Sequence, residues 1–227
     1  EESLAAGKAD MVAMARPLMA EPNLLKNAYA GTPEASRPCL RCFECAPNVM
    51  QHLHCAVNPV CGREPQYRVI QKADERKKAV VIGGGVSGMM AVQTLLKRGH
   101  EVTLFEKEDT LGKKLYEISC LSFKGDMRRY WDRDVKTTKN SGAKIGLGTE
   151  ATPELVMAEN PDVIFIATGS SLIVPPIEGI EKARHILDVD NKRVDVGHKV
   201  VVCGGGLSGT ACALQLAMEG HDVTVVD

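Results

Sequence analysis

Two stretches of the chain follow one pattern of apolar runs, glycines and polar corners. Residues 78 to 106 read KAVVIGGGVSGMMAVQTLLKRGHEVTLFE, and residues 199 to 227 read KVVVCGGGLSGTACALQLAMEGHDVTVVD. Each opens on a β-branched run, Val80 to Ile82 or Val200 to Val202, which predicts a buried strand. A glycine turn, an apolar segment of helical period and a Gly-His corner follow (Gly99-His100; Gly220-His221), then a second apolar strand. The pattern is a strand–turn–helix–strand unit used twice. Between the copies, PDVIFIATGS at 161 to 170 predicts a further strand running into Ala167-Thr168-Gly169. Upstream, KADMVAMARPLMAEPNLLKNAYAG predicts a strand over Met11 to Met14, then Arg16-Pro17, then a helix. Residues 62 to 77 are polar and predict a linker. Over 121 to 140, Arg128, Arg129, Trp131, Arg133 and Lys136 alternate with Asp126, Asp132 and Asp134, which predicts a solvated helix face and not a basic patch. Met89 and Met90 read as core filler.

The glycines have separate reasons. In Gly83-x-Gly85-x-x-Gly88 the first permits a tight turn, the second lets a pyrophosphate approach the backbone, and the third lets helix pack against strand. Free amides at the helix start face the phosphates. Glu106 closes the second strand, placed to accept hydrogen bonds from a ribose. Gly204, Gly206, Gly209 and Asp227 repeat the set. A glycine-rich turn in a nucleotide-free α/β fold is the bland alternative, but strand, turn, helix, spacing and terminal acid coincide twice. Two units in tandem imply two dinucleotides. An acid at Asp227 favours NADH over NADPH, because it repels a 2′-phosphate.

Composition narrows the remaining possibilities. The 227 residues carry 28 basic and 29 acidic side chains and are 44% hydrophobic, so neither nucleic acid nor an anionic membrane is an expected partner. The first residues, EESLAAGKAD, lack the layout of a signal peptide, and no apolar run approaches the ~18 residues of a membrane span. A cytoplasmic location is expected. In a reducing compartment the 8 cysteines are better read as ligands or redox groups than as four disulfides. Cys39, Cys42 and Cys45 share one tight loop, and Cys55, in Cys-Ala-Val-Asn-Pro, supplies a fourth thiol. Four thiolates suit a [4Fe–4S] cluster, and they equally suit tetrahedral zinc, with His52 or His54 as further donors. The neighbouring nucleotide units favour iron–sulfur, since a flavin taking electron pairs from NADH needs a one-electron relay to any centre beyond it. Cys61, Cys120, Cys203 and Cys212 lack such spacing and read as packed thiols.

In that order, ADMVAMARPLMAEP, the four-cysteine loop, the first glycine unit with Glu106, the ATG stretch and the second glycine unit resemble the 2,4-dienoyl-CoA reductase family. That family includes enoate reductases, related flavin oxidoreductases and trimethylamine dehydrogenase. The resemblance covers essentially the whole chain and implies an α/β protein built from the tail end of a TIM barrel, an iron–sulfur loop and two Rossmann-like units. Its segments would be the last barrel strand and helix (1 to 37), the [4Fe–4S] loop and linker (38 to 77), an incomplete FAD domain (78 to 195) and the start of an NAD(P)H domain (196 to 227). The chain opens inside an apparent helix and stops after a strand, so it is expected to be a fragment that retains FAD weakly and is inactive by itself.

The resemblance further implies electron flow from NADH to FAD, through the cluster to FMN, and on to an activated C=C bond of a 2-enoate or enoyl-CoA-type substrate. It assigns the FMN phosphate to Ala15 and Arg16, the cluster to Cys39, Cys42, Cys45 and Cys55, and the FAD ribose to Glu106. It also carries a flavin-domain lysine over to Lys124 and the domain exit to Thr168 and Gly169. Catalytic groups would lie in the barrel, outside this chain. Where relatives carry a glycine pair and a polar residue, this sequence has Gly112-Lys113-Lys114. Alternatives are an amine dehydrogenase of the same family, a zinc-stabilised binding or electron-transfer module, and a disulfide reductase, which the lack of a CxxC pair after Gly83 disfavours.

Overall fold

A computed structural model of the chain describes residues 2–46 and 53–227. It divides into two compact units, Glu1–Gln71 and Lys72–Asp227.

The first unit is mostly loop. Short helices α1 (Glu2–Ala5), α2 (Arg16–Ala20), α3 (Leu24–Tyr29) and α4 (Glu64–Tyr67) punctuate it. Pro17 sits in the first turn of α2, where its missing N–H costs no helical bond. The strand predicted over Met11 to Met14 is absent: these residues are coil, and Met11 and Val12 are exposed. A strand is completed by ladder bonds to a neighbour, and among the described residues no strand of the first unit flanks this stretch. The linker over 62 to 77 contains α4 and is otherwise irregular. Among the described residues of this unit, Ala20, Val57 and Cys61 are buried apolar side chains, and polar Glu21 and Asn58 are also buried.

The second unit opens with β1 (Lys78–Ile82), α5 (Val86–Arg98) and β2 (Glu101–Phe105). It continues through α6 (Lys113–Ile118), α7 (Gly125–Lys139), β3 (Lys144–Gly146), α8 (Pro153–Ala158) and β4 (Val163–Ile166). These strands form one parallel sheet in the order β3-β2-β1-β4. β1 is buried on both faces, as parallel strands between helices are. Ala79 and Val81 pack with Met89, Val92, Leu111 and Val135 on the side of α5 and α7. Val80 packs with Phe105 and Val156 on the side of α8.

A short helix, α9 (Ile186–Asp190), leads to β5 (Lys199–Cys203), α10 (Leu207–Met218) and β6 (Asp222–Val226), and β5 and β6 pair in parallel. Cys212 and Leu216 of α10 pack with Val189, Val200 and Val223.

Two expectations change here. α7 is solvated on one side only: Arg129, Asp132 and Lys136 stand at the surface, while Asp126, Tyr130, Asp134 and Thr138 are buried, because a four-residue spacing aligns them on the side turned to the core. Arg133 pairs with the buried Asp134. Cys203 is exposed, not packed. The period of two along β5 turns Val202 inward and leaves Val201 and Cys203 on the open face. Cys61 and Cys212 are buried and Cys120 half-buried. Met89 is fully buried.

Candidate functional site

β1 is where the strand order reverses, with β2 and β3 to one side and β4 to the other. Parallel sheets bind ligands at that switch point, outside the carboxyl ends of the strands. A cleft of about 750 Å³ opens there, lined by Ile82 and Gly83 after β1, Phe105 and Glu106 after β2, and Ala167, Thr168 and Gly169 after β4. Among the residues expected to hold the first dinucleotide, Gly83, Gly85, Glu106, Thr168 and Gly169 meet in this cleft.

The glycine turn forms as its spacing predicts. Gly83 has φ of 100°, and a Cβ there would stand 2.4 Å from the Ala167 carbonyl oxygen, so left-handed backbone and close approach both require glycine. A Cβ on Gly88 would stand 1.8 Å from the Gly83 carbonyl; α5 meets β1 at that contact. Gly85 caps α5 with open space beside it. Glu106 reaches back under the turn. Its Oε2 accepts from the Gly84 amide at 2.5 Å and its Oε1 from the Glu108 amide at 2.9 Å.

The opposite wall consists of residues that pattern reading did not select: Lys113 and Lys114 from α6, Glu117, and Arg193 from the segment before β5. Lys113 Nζ donates to Glu108 Oε2 at 2.6 Å, and this hydrogen bond holds the Glu108 carboxyl below the usual carboxylate range. Lys114 Nζ donates to the Ser170 carbonyl at 3.2 Å, joining α6 to the exit of β4. Arg193 pairs with Glu117 and Asp188; those contacts raise its already high pKa. Gly112, the residue before this pair, has φ of 64° and caps α6. Only the two lysines carried a local signal, as the departure from a glycine pair. Lys124 lies elsewhere: it precedes α7, its Nζ donates to the Ile118 carbonyl at 3.2 Å, and it is not among the residues lining the cleft.

The second glycine turn repeats the first. Gly204 has φ of 107°, a Cβ on Gly209 would stand 1.9 Å from the Gly204 carbonyl, and Gly206 caps α10. Asp227 Oδ1 accepts from the Gly205 amide at 2.8 Å, as Glu106 does from Gly84.

In the first unit, Cys39, Cys42, Cys45 and Cys55 line one small cavity together with Arg16, Met19 and Phe43. Arg41 and Phe43, on either side of Cys42, have φ of 55° and 62°. Non-glycine residues hold that left-handed conformation at a cost and only where the surroundings enforce it. The tight winding sets three thiols around one pocket, and all four cysteines are free. Among the described residues, no three His, Cys, Asp or Glu side chains converge as ligands of a single ion. Arg16 lies over the Phe43 ring, 5.5 Å from its centroid. Ala15 is the exposed residue before α2. His54 Nε2 lies 3.2 Å from Glu44 Oε1, and His52 falls outside the described residues.

A parallel sheet with a glycine turn and acid at its switch point, followed by a second copy of that turn, defines a tandem dinucleotide-binding α/β protein. The chain belongs to the pyridine nucleotide-disulphide oxidoreductase family, whose description matches residues 77–227. Membership implies FAD and NAD(P)H as the two dinucleotides. Cys120, Cys203 and Cys212 are the cysteines in that span, and none forms a CxxC pair.

Similarity extends over the whole chain. A cinnamate reductase of Clostridium sporogenes is 38% identical over 100% of this chain and 34% of its own length. A bilirubin reductase of Mediterraneibacter gnavus is 39% identical over 97% of this chain and 35% of its own. An NADH oxidase of Thermoanaerobacter brockii is 39% identical over 100% of this chain and 36% of its own. The solved 2-naphthoyl-CoA reductase superposes with a TM-score of 0.86 at 33% identity, over 99% of this chain and 35% of that one. The chain thus spans about a third of the length of the relatives it matches. Among the described residues no helix is long and apolar enough to cross a membrane.

Proposed function

We propose that the chain is the electron-input part of an NADH-dependent ene-reductase. In this reading FAD, a [4Fe–4S] cluster and FMN are the redox groups, and the substrate is a 2-enoate or enoyl-CoA-type molecule with an activated C=C bond. The observation that carries it is the convergence of Cys39, Cys42, Cys45 and Cys55 with Arg16 on one cavity. The thiols surround a space and do not meet at a point, an arrangement suited to a cluster in which each thiolate binds its own iron. When bound, FAD would supply acceptance of an electron pair from the nicotinamide, the cluster one-electron transfer, and FMN delivery of an electron pair to the double bond.

The residues divide the work. Gly83 and Gly85 leave backbone room for the FAD pyrophosphate, and Glu106 offers its remaining lone pairs to the ribose hydroxyls. Thr168 and Gly169 border the same cleft, and Lys114 closes its far side. Lys124 would have to release the Ile118 carbonyl to reach a flavin. Gly204, Gly206, Gly209 and Asp227 hold NADH in the same manner. Arg16 and the amide beside Ala15 meet the FMN phosphate, and residues 1 to 37 then complete a TIM barrel ahead of the cluster loop at 38 to 77. The FAD domain runs from 78 to 195 and the NAD(P)H domain starts at 196.

The relatives named as reductases, at 38% and 39% identity, weigh toward reduction. A solved amine oxidase of Pseudomonas geniculata, at 25% identity and a TM-score of 0.85, supports an outward flow of electrons as the second reading. Iron, zinc and acid-labile sulfide assays of the anaerobically purified full-length protein, with its visible spectrum before and after dithionite, test the cluster. Turnover of NADH with enoates, against turnover of amines with an artificial acceptor, tests the direction. About four irons and four sulfides per chain and NADH oxidation dependent on an enoate are expected. One zinc without sulfide, or amine oxidation without NADH turnover, overturns the reading.

A further inference from the structure

A buried polar network anchors the cysteine loop, and none of its members has a role in the proposed function. Glu21, at the end of α2, is 4% exposed, and Asn58, in the turn after Cys55, is 2% exposed. Arg37, two residues before Cys39, lies between them. Its Nε and its amide both donate to Glu21 Oε2, at 3.3 and 3.4 Å. Its Nη1 donates to the Val57 carbonyl at 3.1 Å and to Asn58 Oδ1 at 3.3 Å. Glu21 Oε1 accepts from the Asn23 amide at 3.1 Å. Asn58 Nδ2 donates to the Met19 carbonyl at 2.7 Å, and its Oδ1 also accepts from the Val60 amide at 3.2 Å.

The network has a direction. One arm of the loop enters through Arg37 to Cys39, and the other leaves through Cys55 to Asn58. A single guanidinium spans both arms and is fixed from behind by Glu21 on α2. Arginine suits this place because its planar fork serves several acceptors at once, which an ammonium does not. Met19, whose carbonyl holds Asn58, and Val57, whose carbonyl holds Arg37, both line the thiol cavity. Spacing between Cys39 and Cys55 is therefore transmitted through Arg37.

We infer that Glu21, Arg37 and Asn58 are positioning residues for the metal centre, holding the loop arms at a preset separation so that metal binding need not order them. The inference rests on the reading of the four thiols as cluster ligands, and it adds groups that touch neither metal nor sulfide. Partners of this kind hold ligands in place and are felt in metal retention.

Full chains of wild type, Arg37→Met, Glu21→Gln and Arg37→Lys are loaded anaerobically with iron and sulfide. Release to excess chelator is followed by loss of the visible cluster absorption, and far-UV circular dichroism is recorded alongside. Release at least ~10-fold faster is expected for Arg37→Met and Glu21→Gln. Arg37→Lys, which keeps the charge but loses the fork, should be intermediate with an unchanged dichroism spectrum. If Arg37→Met or Glu21→Gln does not fold, Arg37→Lys decides alone. Release at the wild-type rate by the folded variants overturns the inference and leaves the cluster reading standing. A wild type holding zinc without sulfide overturns the cluster reading, and the same ratio measured on zinc release then judges the clamp. A wild type that takes up neither overturns both.

Discussion

Gly85 and Gly88 lie three positions apart in one turn and answer to different neighbours. A methyl on Gly88 would enter the Gly83 carbonyl, at 1.8 Å, whereas one on Gly85 would meet no atom within 4 Å. Gly88→Ala should therefore lower the melting temperature of the FAD-side unit strongly, by ~10 °C or more, as a core clash does. Gly85→Ala should melt within a few degrees of wild type and lose FAD affinity, because its methyl stands in the cleft. Thermal melts with flavin-fluorescence titrations separate the two; equal losses of stability would contradict the assignment. Glu106→Gln keeps the shape but loses the charge and one acceptor oxygen. FAD should bind ~10-fold more weakly, in line with the ~1.5–3 kcal/mol of a charge-assisted hydrogen bond, and the same titration measures it. Spacing alone identified these residues, since each contact is local to one strand–turn–helix unit. Lys113, Lys114 and Arg193 were not legible in that way. Arg193 reaches the cleft only because α9 packs beside α6, a contact that no local pattern encodes.

Helices α7 and α10 show what an element's environment adds to its sequence. Alternating charges along α7 read as a wet face, yet Asp126 and Asp134 are buried. Charge alternation in sequence does not say which side of a helix turns to the core, and i to i+4 spacing can bury acids beside Tyr130 and Thr138. In α10, burial above all, with a hydrogen bond to Asp190, pushes the Cys212 thiol up to about 12. An unfolded thiol titrates near 9.0, so the native state keeps its proton while the unfolded state loses it. The resulting stability is present below pH 9.0 and drains away as pH rises towards about 12. Melting of wild type and Cys212→Ala from pH 8 to pH 11 should show the wild-type advantage narrowing above pH 9. A constant gap would mean that the thiol titrates normally.

At the scale of the whole molecule, the proposed function gives the choice of nicotinamide to the second glycine unit. Asp227 bonds the Gly205 amide, and in that proposal its charge opposes a 2′-phosphate. The full-length protein should turn over NADH with kcat/KM at least ~10-fold above NADPH, since opposed like charges cost several kcal/mol. Asp227→Ser should narrow that ratio, and parallel assays with both nucleotides measure it. A protein indifferent to the 2′-phosphate would remove Asp227 from that role. The tandem of α/β dinucleotide units was readable because glycine spacing, β-branched runs and terminal acids are properties of short segments. Each is dictated by backbone geometry that a neighbour cannot change. Strand pairing at Met11 to Met14 was not readable, because a ladder needs a partner strand. The far wall of the cleft, the buried acids of α7 and the Glu21–Arg37–Asn58 network all join residues from separate segments. Those contacts exist only once the chain has folded back on itself, and packing, not pattern, decided them.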